Sequence, residues 1–189
     1  MGKWAIMMSV CVILAAGLTC SDRASATTVK PYTMRAMTVT ADDIVRGTVV
    51  DQEGVYDADR GYVYTHTVIR VTETLSGRAK LGDLVVIRQL GGQAEGRFMP
   101  LVGTATYWLG DDVVVFCRTD GAFHYLVGMA QGSYAVTVGA DGVERLIRET
   151  RNLRMPPLPL PSGQRAPEHL ELDALRRHIT YHRAPGGTP

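Results

Sequence analysis

Cysteine is scarce in this chain, with three in 189 residues, and Cys11 and Cys20 both fall in an apolar N-terminal stretch. Once that stretch is set aside Cys117 stands alone, so no intramolecular disulfide is available and packing must hold the fold. Cys117 ends the run Val113-Val114-Val115-Phe116, which predicts a small buried hydrophobe rather than a reactive thiol. An excess of charge of one sign is missing as well: 20 Lys and Arg stand against 19 Asp and Glu. A nucleic-acid or anionic-membrane partner would call for a basic stripe, so neither is expected. Long apolar runs are absent too. The longest, Ala5 to Leu18, has 14 residues, short of the ~20 a helix needs to span a bilayer.

What that run does match is a leader. Lys3 precedes it, and a polar stretch follows that ends in Ala24-Ser25-Ala26, with small residues where a signal peptidase reads. Residues 1–26 are therefore expected to be a cleaved signal peptide, and the remainder to be secreted or periplasmic. Its removal leaves 163 residues and 18 charges of each sign, because Lys3, Asp22 and Arg23 go with it. That length suits one domain, burying roughly two-thirds of its unfolded surface. A competing reading is a membrane-anchored lipoprotein acylated at Cys20, but Thr19 and Gly17 fit that motif poorly.

After a short extension, 27–40, the centre of the chain reads as strands. Ile44, Val45, Thr48, Val49 and Val50 predict a first strand over 43–50, followed by an acidic connection over 51–61. Alternation from Tyr62 to Leu75 predicts a long curved strand. The unbroken run Leu84-Val85-Val86-Ile87 has the character of a strand buried on both faces. Gly91-Gly92 opens an aperiodic stretch to Leu109, read as one long loop, and loops of that length are uncommon unless functional. Gly110-Asp111, Asp120-Gly121 and Asp141-Gly142 then punctuate further strands, the last as a hairpin turn. Six or seven strands at this spacing predict a sandwich or barrel over 41–154. Pro156, Pro157, Pro159 and Pro161 mark a stiff linker over 155–167. Beyond it, Leu172, Leu175 and Ile179 recur at helical spacing within 168–183, with Arg176, Arg177 and Arg183 suited to a helix C-terminus, and 184–189 forms a tail.

Few side chains suggest chemistry. His178 and His182 stand four apart on the predicted helix, a zinc-ligand spacing, although neither the glutamate of a zinc protease nor a third ligand is evident; a solvated helix end accounts for them equally. Asp57 and Asp59 begin like a calcium loop, but Arg60 stands where another aspartate belongs and no glutamate closes the site, so a plain hairpin connection is the better reading. Lone strand histidines such as His66 and His124 are more often structural. Gly91, Gly92 and Gly96 match no phosphate-binding pattern and are expected to turn the chain. No cofactor is implied. Within the long stretch, Phe98, Tyr107 and Trp108 are anchor types for an interface, with a lid over the core as the equal alternative.

The phrase Ala41-Asp42-Asp43-Ile44-Val45-Arg46-Gly47-Thr48-Val49-Val50, the long strand ending in Thr74-Leu75-Ser76-Gly77, and Val85-Val86-Ile87-Arg88 before Gly91-Gly92 together resemble the opening of the netrin-like and tissue-inhibitor-of-metalloproteinase domains. The resemblance covers 41–117 and implies a mostly β, OB-like closed or partly open β-barrel of five to seven strands, here followed by a short C-terminal helix. Gly110 to Phe116 and Leu126 to Gly132 are also similar to a group of uncharacterised exported bacterial proteins. The inhibitors of that family chelate zinc through an N-terminal cysteine held by disulfides; a chain beginning near Thr27 has neither. The function expected is an exported, non-enzymatic binding module for a protein. The alternatives are an inhibitor or accessory factor of an exported protease, and a metal-dependent enzyme using His178, His182 and either His66 or His124.

Overall fold

A computed structural model describes residues 27–148, 150, 153–154 and 164–183. The expected leader at 1–26 with Cys20, most of the proline-rich linker and the 184–189 tail lie outside the described residues.

The architecture is mostly β. In chain order the elements are β1 (Thr27–Thr28), α1 (Met34–Thr40), β2 (Asp43–Asp57), β3 (Tyr62–Ser76), β4 (Leu84–Leu90), β5 (Gly92–Ala94), β6 (Arg97–Met99), β7 (Asp112–Asp120), β8 (Phe123–Leu126), a 3-10 turn (Met129–Gly132), β9 (Ser133–Val138), β10 (Glu144–Ile147), β11 (Leu153–Arg154), β12 (His169–Glu171) and α2 (Leu172–Arg183). Five of these close a ring in the order β2, β3, β4, β8, β7 and back to β2. All its pairings are antiparallel except β4 with β8, which run parallel and meet at a single residue pair, Ile87 with His124. Strands β9, β10 and β12 continue the sheet outward from β7.

β2 is longer than its sequence suggests. It runs to Asp57, and Glu53 pairs with His66 while Asp57 pairs with Tyr62, so the acidic connection expected over 51–61 is mostly strand. Acidic side chains on an exposed hairpin arm do not prevent main-chain pairing, which is why polarity alone placed the turn too early. The true turn is Ala58 to Gly61, where the Asp57 carboxylate accepts the Arg60 N–H at 3.1 Å. Register shifts at Ile44/Val45, Arg46/Gly47 and Val49/Asp51 bend β2 around the ring. Gly47 sits at such a shift because a Cβ there would overlap the Arg70 carbonyl of β3.

Two cores result, one on each side of β7. Val45, Val49, Ile69, Val71, Val85, Ile87, Val113, Val115 and Cys117 fill the ring. Val114 and Phe116 face the other way, against Met34 and Met37 of α1, Tyr134, Leu146, and Leu172, Leu175 and Ile179 of α2. The strand buried on both faces is thus β7, not β4, whose Leu84 is exposed and whose Val86 is only partly buried. The predicted amphipathic helix docks as its apolar spacing requires, although it starts at Leu172, after the short strand β12. The extension over 27–40 is integral too. Thr33 caps α1 by accepting the Ala36 N–H at 2.9 Å, and β1 pairs in parallel with β11. Among the described residues no helix is long and apolar enough to cross a membrane.

Candidate functional site

The stretch from Gly91 to Leu109 is not one loop. Gly91 and Gly92 take φ of +96° and +123°, the positive values that let the chain reverse off β4, and β5 and β6 then form a small hairpin. Its turn residues Glu95 and Gly96 both have positive φ, as a two-residue turn of this hand requires. Three-residue strands leave too short a pattern for periodicity to reveal. The hairpin lies against the outer arm of β2 and β3, close enough that a Cβ at Gly54 would overlap the Gln93 carbonyl. Arg97 stacks on the Tyr56 ring at 3.9 Å, which turns the intervening Phe98 to solvent at 73% exposure.

The three aromatics proposed for an interface therefore part company. Tyr107, at 3% exposure, plugs the ring, and its hydroxyl donates to Ser133 Oγ at 2.9 Å. Burial pushes its phenol well above the ordinary range. It is the lid of the alternative reading and cannot be a contact residue. Trp108 is the opposite, 72% exposed, with Leu109 beside it at 70%. These two occupy the tip of a tight turn. The Trp108 N–H donates to Asp111 Oδ2 at 2.8 Å, the Asp111 N–H returns to the Trp108 carbonyl at 3.1 Å, and Gly110 supplies φ of +91°. Two further bonds fasten the turn to β2, Gly110 N–H to Val49 O and Val49 N–H to Asp111 O, both 2.9 Å. An exposed Trp-Leu pair is thus held on a rigid mount, with Val50 partly exposed beside it.

The candidate metal ligands are not brought together. Asp57 caps its own turn and lies 3.6 Å from Arg88 and 3.8 Å from Arg60, while Asp59 stands exposed in the turn. His178 and His182 do share a face, ring centroids 4.4 Å apart, and burial and then the neighbouring ring lower the His178 pKa. No third ligand joins them. His66 lies on β3 and His124 on β8, and among the described residues no group of three His, Cys, Asp or Glu could hold a metal ion.

Two arrangements had escaped the sequence. On the outer face of the ring Arg88 lies over the Tyr64 ring at 3.7 Å and the Phe123 ring at 4.8 Å, and the His66 ring stacks on Phe123 at 4.8 Å. Burial, then Arg88, lowers the His66 pKa, so the neutral imidazole is favoured. This stack ties β8 to β3 and β4 across the seam that one backbone pair closes. At the end of β7 remote from Trp108 is a cleft of about 700 Å³ lined by Asp42, Asp83, Leu84, Thr119 and His124 among others. Its residues come from several elements and carry no shared spacing, so nothing in the sequence could have gathered them.

No family model matches the chain, and no curated protein matches its sequence.

Proposed function

We propose that this protein is an exported, non-enzymatic binding module, OB-like in fold, whose partner is a protein. The ring supports the fold reading: five strands, joined by antiparallel ladders except at one weak parallel seam, suit a partly open OB-like barrel. The observation that carries the functional reading is the Trp108-Leu109 tip. Exposed tryptophan is the residue type that most often anchors an interface, and a backbone already held in place has less freedom to lose on binding. The mount described above holds the backbone of the tip, and Phe98 on its hairpin adds a second exposed aromatic.

A photo-crosslinking amino acid placed at 108, in protein exposed to the exported fraction of its source cell, tests this. A discrete protein adduct at 108, absent when the probe replaces the equally exposed Leu81, is the expected result. Equal labelling at both positions, or none at 108, overturns it.

The protease-directed alternative rests on the same ring and narrows the partner to an exported protease. The zinc-chelating mechanism of the resembling inhibitors is not available to it, because Thr27 and Thr28 are committed to β1 and no cysteine lies there. Recovery of a protease among the crosslinked adducts is its expected outcome, and adducts that contain none set it aside.

A further inference from the structure

Among the described residues the edge of β4 away from β3 is paired at one place, Ile87 with His124 of β8. In an antiparallel ladder the main-chain groups of alternate residues face opposite ways. The bonds from Val71 N–H to Asp83 O (2.9 Å) and from Gly91 N–H to Val63 O (2.7 Å) bracket β4 and fix that alternation. Val85, Ile87 and Gln89 therefore turn their amides to β3, and Leu84, Val86, Arg88 and Leu90 turn theirs toward β8. The single bridge of Ile87 with His124 occupies the Val86 carbonyl and the Arg88 N–H. That leaves the N–H and C=O of Leu84 and the N–H of Val86 without a ladder partner among the described residues, and the cleft at the end of β7 reaches the first of these, lined by Leu84, Val85 and His124.

Much of the rest of the lining suits the same occupant, although Arg78 brings a cation to the cleft as well. Val39 and Leu84, large aliphatic side chains 61% and 55% exposed, give it an apolar wall. Asp42 accepts the Thr119 N–H on one carboxylate oxygen, and Asp83 accepts the Lys80 N–H on one of its own; the second oxygen of each has no partner among the described residues. Asp43 is spent, accepting from Arg78 N–H, Ala79 N–H and the Thr119 hydroxyl, and Arg183 is bound to the carbonyls of Thr38 and Ala41. His124 adds a buried Nδ1 without a partner among the described residues. No Phe, Tyr or Trp among the described residues lines the cleft for a sugar to stack on. Main-chain donors and an acceptor at strand spacing, beside an aliphatic wall and two free carboxylate oxygens, are the complement of a polypeptide.

We propose that this cleft takes an extended peptide segment, added as a strand to the Leu84–Val86 edge of β4, with an aliphatic side chain against Val39 and Leu84 and a basic one beside Asp42 and Asp83. Strand addition draws its affinity from main-chain bonds and its selectivity from the side-chain pockets. The site lies at the end of the ring opposite Trp108 and is independent of that surface.

The probe is an end-blocked pentapeptide, lysine–valine–threonine–valine–lysine, titrated into the ¹⁵N-labelled protein. Saturable shifts of the Leu84 and Val86 amides are expected. N-methylation of both peptide valines should weaken binding at least tenfold, and replacing the lysines by glutamate should weaken it further. Leu84→Pro deletes an N–H that has no partner among the described residues, at the first residue of a strand where proline is tolerated, and should abolish binding while Trp108→Ala leaves it unchanged. Should Leu84→Pro not fold, Asp42→Asn with Asp83→Asn takes its place, with a loss of at least threefold expected. Absence of shifts at Leu84 and Val86 at millimolar peptide, or equal binding of the N-methylated peptide, overturns the proposal.

Discussion

Tyr107 and Trp108 are neighbours in sequence and opposites in environment, and their substitutions should separate accordingly. Trp108→Ala removes no buried contact and is expected to leave stability within about 0.5 kcal/mol of wild type. Tyr107→Ala opens a hole in the ring core and should cost about 3–5 kcal/mol. Tyr107→Phe strands the buried Ser133 hydroxyl and should cost about 1–2 kcal/mol. Urea unfolding of the three variants checks all of this, and a Trp108→Ala loss approaching that of Tyr107→Ala would mean that Trp108 is also part of the lid. Cys117 is a residue-scale case in which sequence and structure agree. It is fully buried, donates weakly to the Asp43 carbonyl at 3.5 Å, and its thiol is pushed up to about 12 by burial and then by Asp43 and Asp42. A maleimide should label Cys117 only under unfolding conditions; labelling at Cys117 in the native protein at neutral pH, located by peptide mapping, would contradict that burial.

His66 gives the residue scale a pH dependence. Its folded pKa lies below the ordinary 6.5, so its neutral form contributes stability above about pH 6.5, and that contribution is lost as the pH falls. His178 acts in the same direction, through burial and His182. The urea midpoint should therefore fall from pH 7.5 to pH 5.5, and His66→Gln should flatten the dependence. A midpoint that rises over that interval would show that one of these imidazoles gains, rather than loses, by protonation in the fold.

At the scale of elements, two attachments differ in kind. α2 is held mainly by burial, so Leu175→Ala should cost about 2–5 kcal/mol. Arg176 adds ion pairs to Glu73 at 2.7 Å, to Asp173 at 2.6 Å and, more loosely, to Glu144 at 3.9 Å, but the guanidinium and its partners are about a third exposed or more. Arg176→Ala should cost no more than about 1 kcal/mol, and less in high salt. Thermal unfolding in 0.05 M and 1 M salt distinguishes them: the Arg176 effect shrinks with salt and the Leu175 effect does not. The β8 attachment depends on side chains because its backbone offers so little. Phe123 packs on both His66 and Arg88, so Phe123→Ala should speed amide exchange in β8 well before it affects β2 and β3. Uniform acceleration through the ring would mean that the seam is not a separate weak point.

The legible elements were those with long, regular signals. β3 alternates over most of its length, β7 carries an unbroken apolar run from Val113 to Cys117, Asp141-Gly142 sits at the turn between β9 and β10, and α2 repeats at helical spacing; each is where its residues suggest. The elements missed were short or held from elsewhere. α1 has seven residues and depends on Met34 and Met37 meeting the outer core, while β5, β6 and β12 have three residues each. A pattern cannot be read in fewer residues than its own period needs.

At the scale of the whole molecule the same division holds for function. By itself the sequence determined the near balance of charge and the lack of a long apolar run beyond the first residues, and it set the expectation of a fold held without disulfides. It also determined the mostly β character and the helix that follows, because these are sums and periodicities along the chain. Only the tertiary structure decided that Tyr107 enters the ring while Trp108 leaves it, that β4 meets β8 at one residue pair among the described residues, and that Asp42, Asp83, Leu84 and His124 share one cleft. Each of these depends on which strand lies beside which. The closure of the ring through Ile87 and His124 sets that order, and it joins residues too far apart in the chain for any local pattern to record.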